Sequence, residues 1–507
     1  PGMKIPPICA YSSSLRRLSY GLDRELITAL DTAYAANRIL ALLKESNFTP
    51  VKVEEKFHTP AEILEDLCQF AKDKGLLEPG NQDAQDQFDT ELMACLTPRP
   101  SEVVGEFNRL YERSPREATD YYYALSRSTN YIRVDRIEKD RKWTAPTPYG
   151  DLTITINLSK PEKDPKAIAA ARNAPKSGYP ACALCRENEG YLGSANQAAR
   201  GNHRLIPITL DGERWYLQYS PYVYYNEHCI VLSEEHRPMK VSRASFRRLL
   251  EFGTLLPHYF IGSNADLPIV GGSILSHDHF QGGAEELPMA RAEVREKVSF
   301  EGFEGIDAGI LHWPMSVIRL RGKDREQMVE LADRILTAWR GYSDESAEVL
   351  AETEGTPHNT ITPIARRRGE DFELDLVLRN NRTTDEHPLG LFHPHAEYHH
   401  IKKENIGLIE VMGLAILPPR LLTETGLLQE ALSDGSRAEE IMSRPEMEKH
   451  KAWYEELKAR NIPEKDLQKA IQDSIGEKFG RILGNAGVFK DDEKGREAFR
   501  RFCGSVR

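Results

Sequence analysis

The chain has 507 residues and a formal net charge of -11, with 40% hydrophobic and 29% charged residues. That is a globular composition, with length for two or more domains of about 100–200 residues each. The acidic balance argues against a nucleic-acid coat, no run approaches the roughly 18 apolar residues of a membrane span, and seven cysteines in so long a chain exclude a disulfide scaffold.

Pro1-Gly2-Met3-Lys4 reads as a tag remnant before a native Met3, with no signal-peptide core after it. Cys9, Cys68, Cys95, Cys229 and Cys503 are scattered, and only Cys182 and Cys185 form a C-x-x-C. A reducing, cytoplasmic compartment is expected. The first ~140 residues read as helical. Leu26, Leu30, Ala33 and Tyr34 keep helical spacing on one face. Thr59-Pro60-Ala61-Glu62 has the form of a helix start: a cap, a proline at the first position and a glutamate three after the cap.

The texture then changes. Asp151–Leu158 alternates apolar and polar residues, the strand signal. Trp215–His236 predicts two strands with a connection. A helix is predicted from about Ser242, with Phe246, Leu249 and Leu250 on one face. Strand then helix recurs at Trp313–Leu320 and Glu326–Trp339, and Phe372–Leu378 is a further strand. From ~430 the chain is again charged and helical. No P-loop and no G-x-S-x-G elbow is present. His277-Asp278-His279 has an echo in His393-Pro394-His395, which suggests an old duplication.

Three segments carry chemistry. In Gly271–Gly283, GGSILSHDHFQGG, an extended backbone puts His277, His279 and Gln281 on one face. Imidazole is a good nucleophile towards phosphorus at neutral pH. An adjacent amide can donate to a phosphoryl oxygen as charge shifts, and Gly271-Gly272-Ser273 would let backbone amides approach phosphates. The plainer alternative is a pair of surface or metal histidines without catalytic duty. Cys182-Ala183-Leu184-Cys185 is half of a tetrahedral zinc site or a redox pair; a redox pair would open a helix after a strand, whereas this one follows the Pro/Lys/Gly-rich stretch Pro175–Pro180. His393, His395, His399 and His400 suggest a metal site, with His358 as an addition, or a strand end in which histidines bond their neighbours.

Taken together, Ala181–Tyr191, Ser220–His236, Gly271–Gly283 and Leu391–Ile406 resemble the galactose-1-phosphate uridylyltransferase family. The likeness is to its longer class II branch, within the histidine-triad superfamily. The resemblance implies an α+β fold: a duplicated histidine-triad-like antiparallel sheet core with added helical N- and C-terminal regions. The expected boundaries are a helical region 1–150, a first half 151–300 with the active-site motif, a second half 301–425 and a helical region 426–507. It implies ping-pong exchange of UMP between UDP-glucose and galactose 1-phosphate through a uridylyl-His279 intermediate. Gln281 would hydrogen-bond the phosphoryl group, where triad hydrolases carry a third histidine; a neutral amide cannot serve as general acid, which suits transfer. Gly272, Ser273 and Asn264 would hold the nucleotide phosphates. Cys182, Cys185, His236 and His277 would bind a structural zinc. His393 and His395, with His358 and Glu293, would bind a second divalent metal. A homodimer is expected, with no nucleic-acid or membrane partner. Two departures stand beside the nucleophile: Asp278 replaces the shorter branch's proline, and Phe280 its glycine, where it would pack against base or sugar. Competing readings are a UTP-dependent or N-acetylhexosamine-1-phosphate uridylyltransferase, a triad-type nucleotide hydrolase or phosphorylase, and a zinc-organised binding protein without catalysis.

Overall fold

The computed structural model describes residues 18–47, 59–158, 178–194, 197–272 and 274–507. Pro1–Lys4, Cys9 and Ser273 lie outside them. In chain order the strands are β1 (Arg141–Ala145), β2 (Leu152–Ile156), β3 (Ile206–Leu210), β4 (Glu213–Tyr219), β5 (Cys229–Ser233), β6 (Phe260–Gly262), β7 (His279–Gly283), β8 (Val294–Val298), β9 (Asp307–Leu311), β10 (Val317–Gly322), β11 (Glu352–Thr353), β12 (Thr356–Pro357), β13 (Asn359–Arg368), β14 (Asp371–Asn380) and β15 (Leu414–Leu417). The chain forms two compact units, one of residues 1–139, 159–223 and 227–236, the other of 140–158, 224–226 and 237–507.

The first unit packs helices against a three-stranded antiparallel meander, β3-β4-β5. Its helices are α1 (Thr32–Leu42), α2 (Ala61–Asp73), α3 (Gln82–Ala94), α4 (Pro100–Tyr111) and α5 (Pro115–Ser128). Tyrosine hydroxyls pin the end of this helical layer to the meander. Tyr131 donates to the Tyr219 carbonyl at 3.0 Å, and Tyr219 donates back to the Thr119 carbonyl of α5 at 3.1 Å. Each hydroxyl buries a ring and still satisfies its polar end.

Two sequence expectations here are corrected. Leu30 and Tyr34 are 93% and 64% exposed, and the buried face of α1 is Ala35, Ala36, Ile39 and Leu40. Glu25 takes a left-handed φ of 54° and a 3-10 turn covers Ala29–Asp31, so the helical phase restarts after Leu26 and Leu30 no longer shares its face. α2 begins one residue later than the Thr59 cap implied, with Pro60 at the N-cap and no side-chain capping bond.

The second unit holds a twisted antiparallel sheet in the order β7-β6-β13-β14-β10-β9-β8. A smaller sheet, β1-β2-β15, pairs β2 and β15 in parallel. The strands, helices and loops predicted from Asp151, Trp215, Ser242, Glu326 and Phe372 onward are all present, within a few residues of their expected ends. The fold is α+β with almost wholly antiparallel sheets.

The helices α6 (Arg243–Leu255) and α7 (Arg325–Arg340) lie together, joined by Arg243 with Glu330 and by Arg247 with Glu326 at 3.3 Å. The Trp339 indole of α7 donates to the carbonyls of Thr360 and Arg379, at 3.0 and 3.1 Å, which fixes that helix over β13 and β14. The other sheet face presents Phe260, Val317, Ile364 and Val377. These merge into one core with β1-β2-β15 and the C-terminal helices α8 (Arg420–Ser433), α9 (Lys451–Ala459) and α10 (Leu467–Ala486). α10 meets β1 through glycine: a Cβ on Gly476 would stand 2.1 Å from that of Ala145. α11 (Glu493–Ser505) closes the chain.

A repeat is visible in chain order. The meander β3-β4-β5, helix α6 and pair β6-β7 are followed by the meander β8-β9-β10, helix α7 and pair β13-β14. The two strand pairs join side by side through β6 and β13. Ladder partners share a face, so Gln281, Gly262, Ile364, Asp375 and Arg319 form one row across β7, β6, β13, β14 and β10. The strand that corresponds to β7 is thus β14. His393-Pro394-His395, the apparent sequence echo, lies in a loop well beyond β14 and is not the structural counterpart of His277-Asp278-His279.

Candidate active site and metal centre

Residues 263–278 connect β6 to β7, and this loop folds back on itself. Ala265 and Gly271 form a parallel bridge. A Cβ on Gly271 would stand 2.5 Å from the Ala265 carbonyl oxygen, and one on Gly272 would stand 2.7 Å from Asn264 Nδ2. The glycine pair is therefore required by the loop's own closure, before any ligand is considered. Ile269 is held at φ 73°, a costly conformation for a β-branched residue, and strain of this kind concentrates at ligand-binding loops.

The loop is tied down on both sides. Asn264 is buried, and its Oδ1 accepts the Leu408 N–H at 2.9 Å. Asp266 accepts the Val241 N–H at 2.9 Å and the Thr360 hydroxyl at 2.5 Å. A loop held this way is preorganised for any ligand it receives. We expect Gly272→Ala to push the Asn264 amide aside and raise the KM for the nucleotide substrate several-fold. Stability should fall by about 1–3 kcal/mol, read by steady-state kinetics and thermal unfolding. An unchanged KM would detach this loop from substrate binding.

His279 opens β7 and is 5% exposed. Its Nδ1 lies 2.8 Å from the His277 carbonyl oxygen, which can only accept. The ring proton therefore sits on Nδ1, and Nε2 carries a lone pair. Burial lowers the imidazole pKa to about 4, against the pull of that carbonyl. At neutral pH the ring is neutral, as a nucleophile must be. Gln281 follows on the same face of β7 and is half-buried. Phe280 is 1% exposed and alternates to the other face, so it serves the core rather than a base or sugar beside His279.

In the first unit, Cys182, Cys185 and His236 come together. Their Sγ atoms are 3.6 Å apart, and Cys185 Sγ lies 3.1 Å from His236 Nδ1. Ligands of a tetrahedral zinc with bonds of about 2.3 Å to sulfur and 2.0 Å to nitrogen stand at comparable separations. The Asn188 amide donates to the carbonyls of Cys182 and Cys185, both at 2.8 Å, and the Leu184 N–H points at Cys182 Sγ at 3.3 Å. These bonds shape the turn and support the sulfurs. Burial pushes the Cys185 thiol up to about 11, so a thiolate there needs a cation to stabilise it. The pair leads into a 3-10 turn, Arg186–Asn188, not the α-helix that a thioredoxin-like pair would open. Two thiols and an imidazole suit zinc. Among the described residues, the grouping to which these three belong is the only one of histidine, cysteine and carboxylate groups that could hold a metal ion.

The second predicted metal set is not assembled. His358 is taken at both nitrogens, by Asn381 and by Thr353, each at 2.8 Å. His393 Nε2 meets Asn405 at 3.2 Å. His395 Nε2 donates to the Leu391 carbonyl at 3.1 Å and its ring stacks on His387. Glu293 is exposed. These histidines bond their neighbours, the alternative the sequence left open.

A structural feature the sequence reading did not anticipate is the row continuing from Gln281. At its far end Asp375 receives Arg319 at 2.6 and 2.8 Å and Arg366 at 2.8 Å, and Glu373 receives Arg366 at 2.7 Å. Burial raises the Asp375 pKa, and Arg366 and Arg319 overcome it, so the net shift is downward. No short motif marks this network; its members are separated in the chain and meet only through strand register.

Comparison with known proteins identifies the family. Residues 25–238 match the family model described as galactose-1-phosphate uridyl transferase, N-terminal domain, and residues 253–453 match the corresponding C-terminal domain. A galactose-1-phosphate uridylyltransferase of Fusobacterium nucleatum is 51% identical over 97% of this chain and 98% of its own length. Those of Halalkalibacterium halodurans and Bacillus subtilis are 52% and 50% identical, each over 96% of this chain, covering 97% and 96% of their own lengths. Among solved structures, yeast Ap4A phosphorylase Apa2 aligns with 61% of this chain and 91% of its own at 13% identity and a TM-score of 0.30, a likeness too slight to argue from.

Proposed function

Given that the chain belongs to the galactose-1-phosphate uridylyltransferase family, we propose that His279 is the nucleophile through which it exchanges UMP between UDP-glucose and galactose 1-phosphate. The observation that carries this is the buried imidazole whose Nδ1–H is committed to the His277 carbonyl. Nε2 attacks the α-phosphorus of UDP-glucose. The bond from that phosphorus to the bridging oxygen breaks, and glucose 1-phosphate leaves with the electron pair. The leaving phosphate needs no proton, so no general acid is required. Galactose 1-phosphate then attacks the uridylyl-histidine through a phosphate oxygen and departs as UDP-galactose. Dividing the exchange in two lets one nucleophile serve both sugar phosphates.

Gln281 donates its amide to a phosphoryl oxygen as charge builds there. Gly272 and Asn264 set the loop that receives the diphosphate. Cys182, Cys185 and His236 would hold a structural zinc ion, which would brace the turn they stand on. No helix among the described residues is long and apolar enough to cross a membrane. The family resemblance extends the reading to a cytoplasmic homodimer, which sedimentation and cell fractionation check.

Intact-protein mass after mixing with UDP-glucose alone tests the mechanism. One uridylyl group should be gained per chain and then discharged as UDP-galactose on adding galactose 1-phosphate. No adduct, with UDP-glucose intact, would overturn this donor and make UTP the next to try. Steady release of UMP would instead favour a hydrolase.

A further inference from the structure

One peptide plane does two things beside the nucleophile. The His277–Asp278 peptide offers its carbonyl to His279 Nδ1 at 2.8 Å, and its N–H donates to the Arg237 carbonyl at 2.7 Å. The segment around Arg237 runs alongside this one, since the Met239 N–H also donates to the Leu275 carbonyl at 2.9 Å. Asp278 then adds a second tie through its side chain. Its carboxylate, 5% exposed, stands 3.5 Å from the Arg237 guanidinium and 4.0 Å from that of Arg248 on α6. Side chains of neighbouring residues alternate along an extended chain, so this carboxylate leaves on the side opposite the His279 ring.

We propose that Asp278 is a positioning residue, clamping with Arg237 and Arg248 the peptide whose carbonyl orients the His279 imidazole. The proposal rests on the reading of His279 as nucleophile. A hydrogen bond to the peptide N–H polarises the amide and strengthens its carbonyl as an acceptor. That carbonyl in turn fixes which ring nitrogen keeps the proton and where Nε2 points. A proline at 278 has no N–H to give and no charge, so it can form neither tie. The aspartate is thus a second solution to holding this peptide, anchored to a helix and a neighbouring segment instead of by a rigid ring.

The test uses the full-length protein in single turnover with UDP-glucose, following adduct mass against time. The variants are Asp278→Asn, which removes the charge, Asp278→Pro, which removes the N–H, and Arg237→Met, whose partly exposed side chain makes misfolding a small risk. Asp278→Asn and Arg237→Met should slow uridylylation by about tenfold to a hundredfold, with the final adduct amplitude, the zinc content and the KM for UDP-glucose little changed. Asp278→Pro should be slower still. A purely structural role predicts the reverse: a reduced amplitude and lower Tm, with the surviving molecules reacting at the wild-type rate. That result, or wild-type rates in all three variants, would overturn the proposal. Failure of the wild type to form any adduct would remove the nucleophile reading and this proposal together, a failure distinct from one seen only in the variants.

Discussion

Replacing His279 by Asn or Gly should abolish uridylyl transfer while leaving the protein folded. The expected loss in kcat is roughly 10⁴-fold or more, the scale seen when a covalent nucleophile is removed. Asn can still donate to the His277 carbonyl, so that acceptor is not orphaned. Binding should survive, because the loop of Asn264 and Gly272 is held by Leu408, Val241 and Thr360 rather than by His279. The decisive measurement combines activity, intact mass after UDP-glucose, and affinity for UDP-glucose by calorimetry. An adduct that persists in His279→Asn would transfer the chemistry to another residue. Loss of binding together with loss of rate would make the histidine a binding group.

Cys182→Ser should act through the other unit and in the opposite sense, lowering metal content and stability first and rate second. Removing one thiol from a structural zinc site takes away a ligand and leaves the rest of the turn to repack. A destabilisation on the order of 4 kcal/mol belongs to this class of change. Chelation of the wild-type protein should lower Tm in the same direction, and Cys182→Ser should be nearly insensitive to the chelator. Zinc measured by mass spectrometry at the wild-type level in the variant would exclude Cys182 as a ligand.

The candidate site could be picked out in the sequence because its members lie in short segments with fixed spacing. His279 and Gln281 need only alternation along a strand to share a face, and Cys182 and Cys185 need only one turn. What the sequence hid has two causes. Burial on both faces erases alternation, so β13, buried through its first eight residues, gave no strand signal. Phase is also fragile: a single left-handed residue at Glu25 and a 3-10 turn moved the apolar face of α1 away from Leu30 and Tyr34. The clustered histidines left two readings open for a third reason. A histidine that bonds a carbonyl and a histidine that binds metal look alike in sequence, and only the partners of His358, His393 and His395 tell them apart.

The Arg319–Asp375–Arg366–Glu373 network bears on how two similar strand pairs came to hold one reactive centre. On the strand that answers to β7, the reactive face carries Glu373 and Asp375, already neutralised by arginines from β10 and β13. A histidine at Glu373, the position that answers to His279, would take from the buried Arg366 its carboxylate at 2.7 Å, and breaking a buried pair in this way costs about 3–5 kcal/mol. The asymmetry is therefore built into the charges: a second histidine on this pair would leave an arginine uncompensated, so internal pairing on one strand pair confines the histidine to the other.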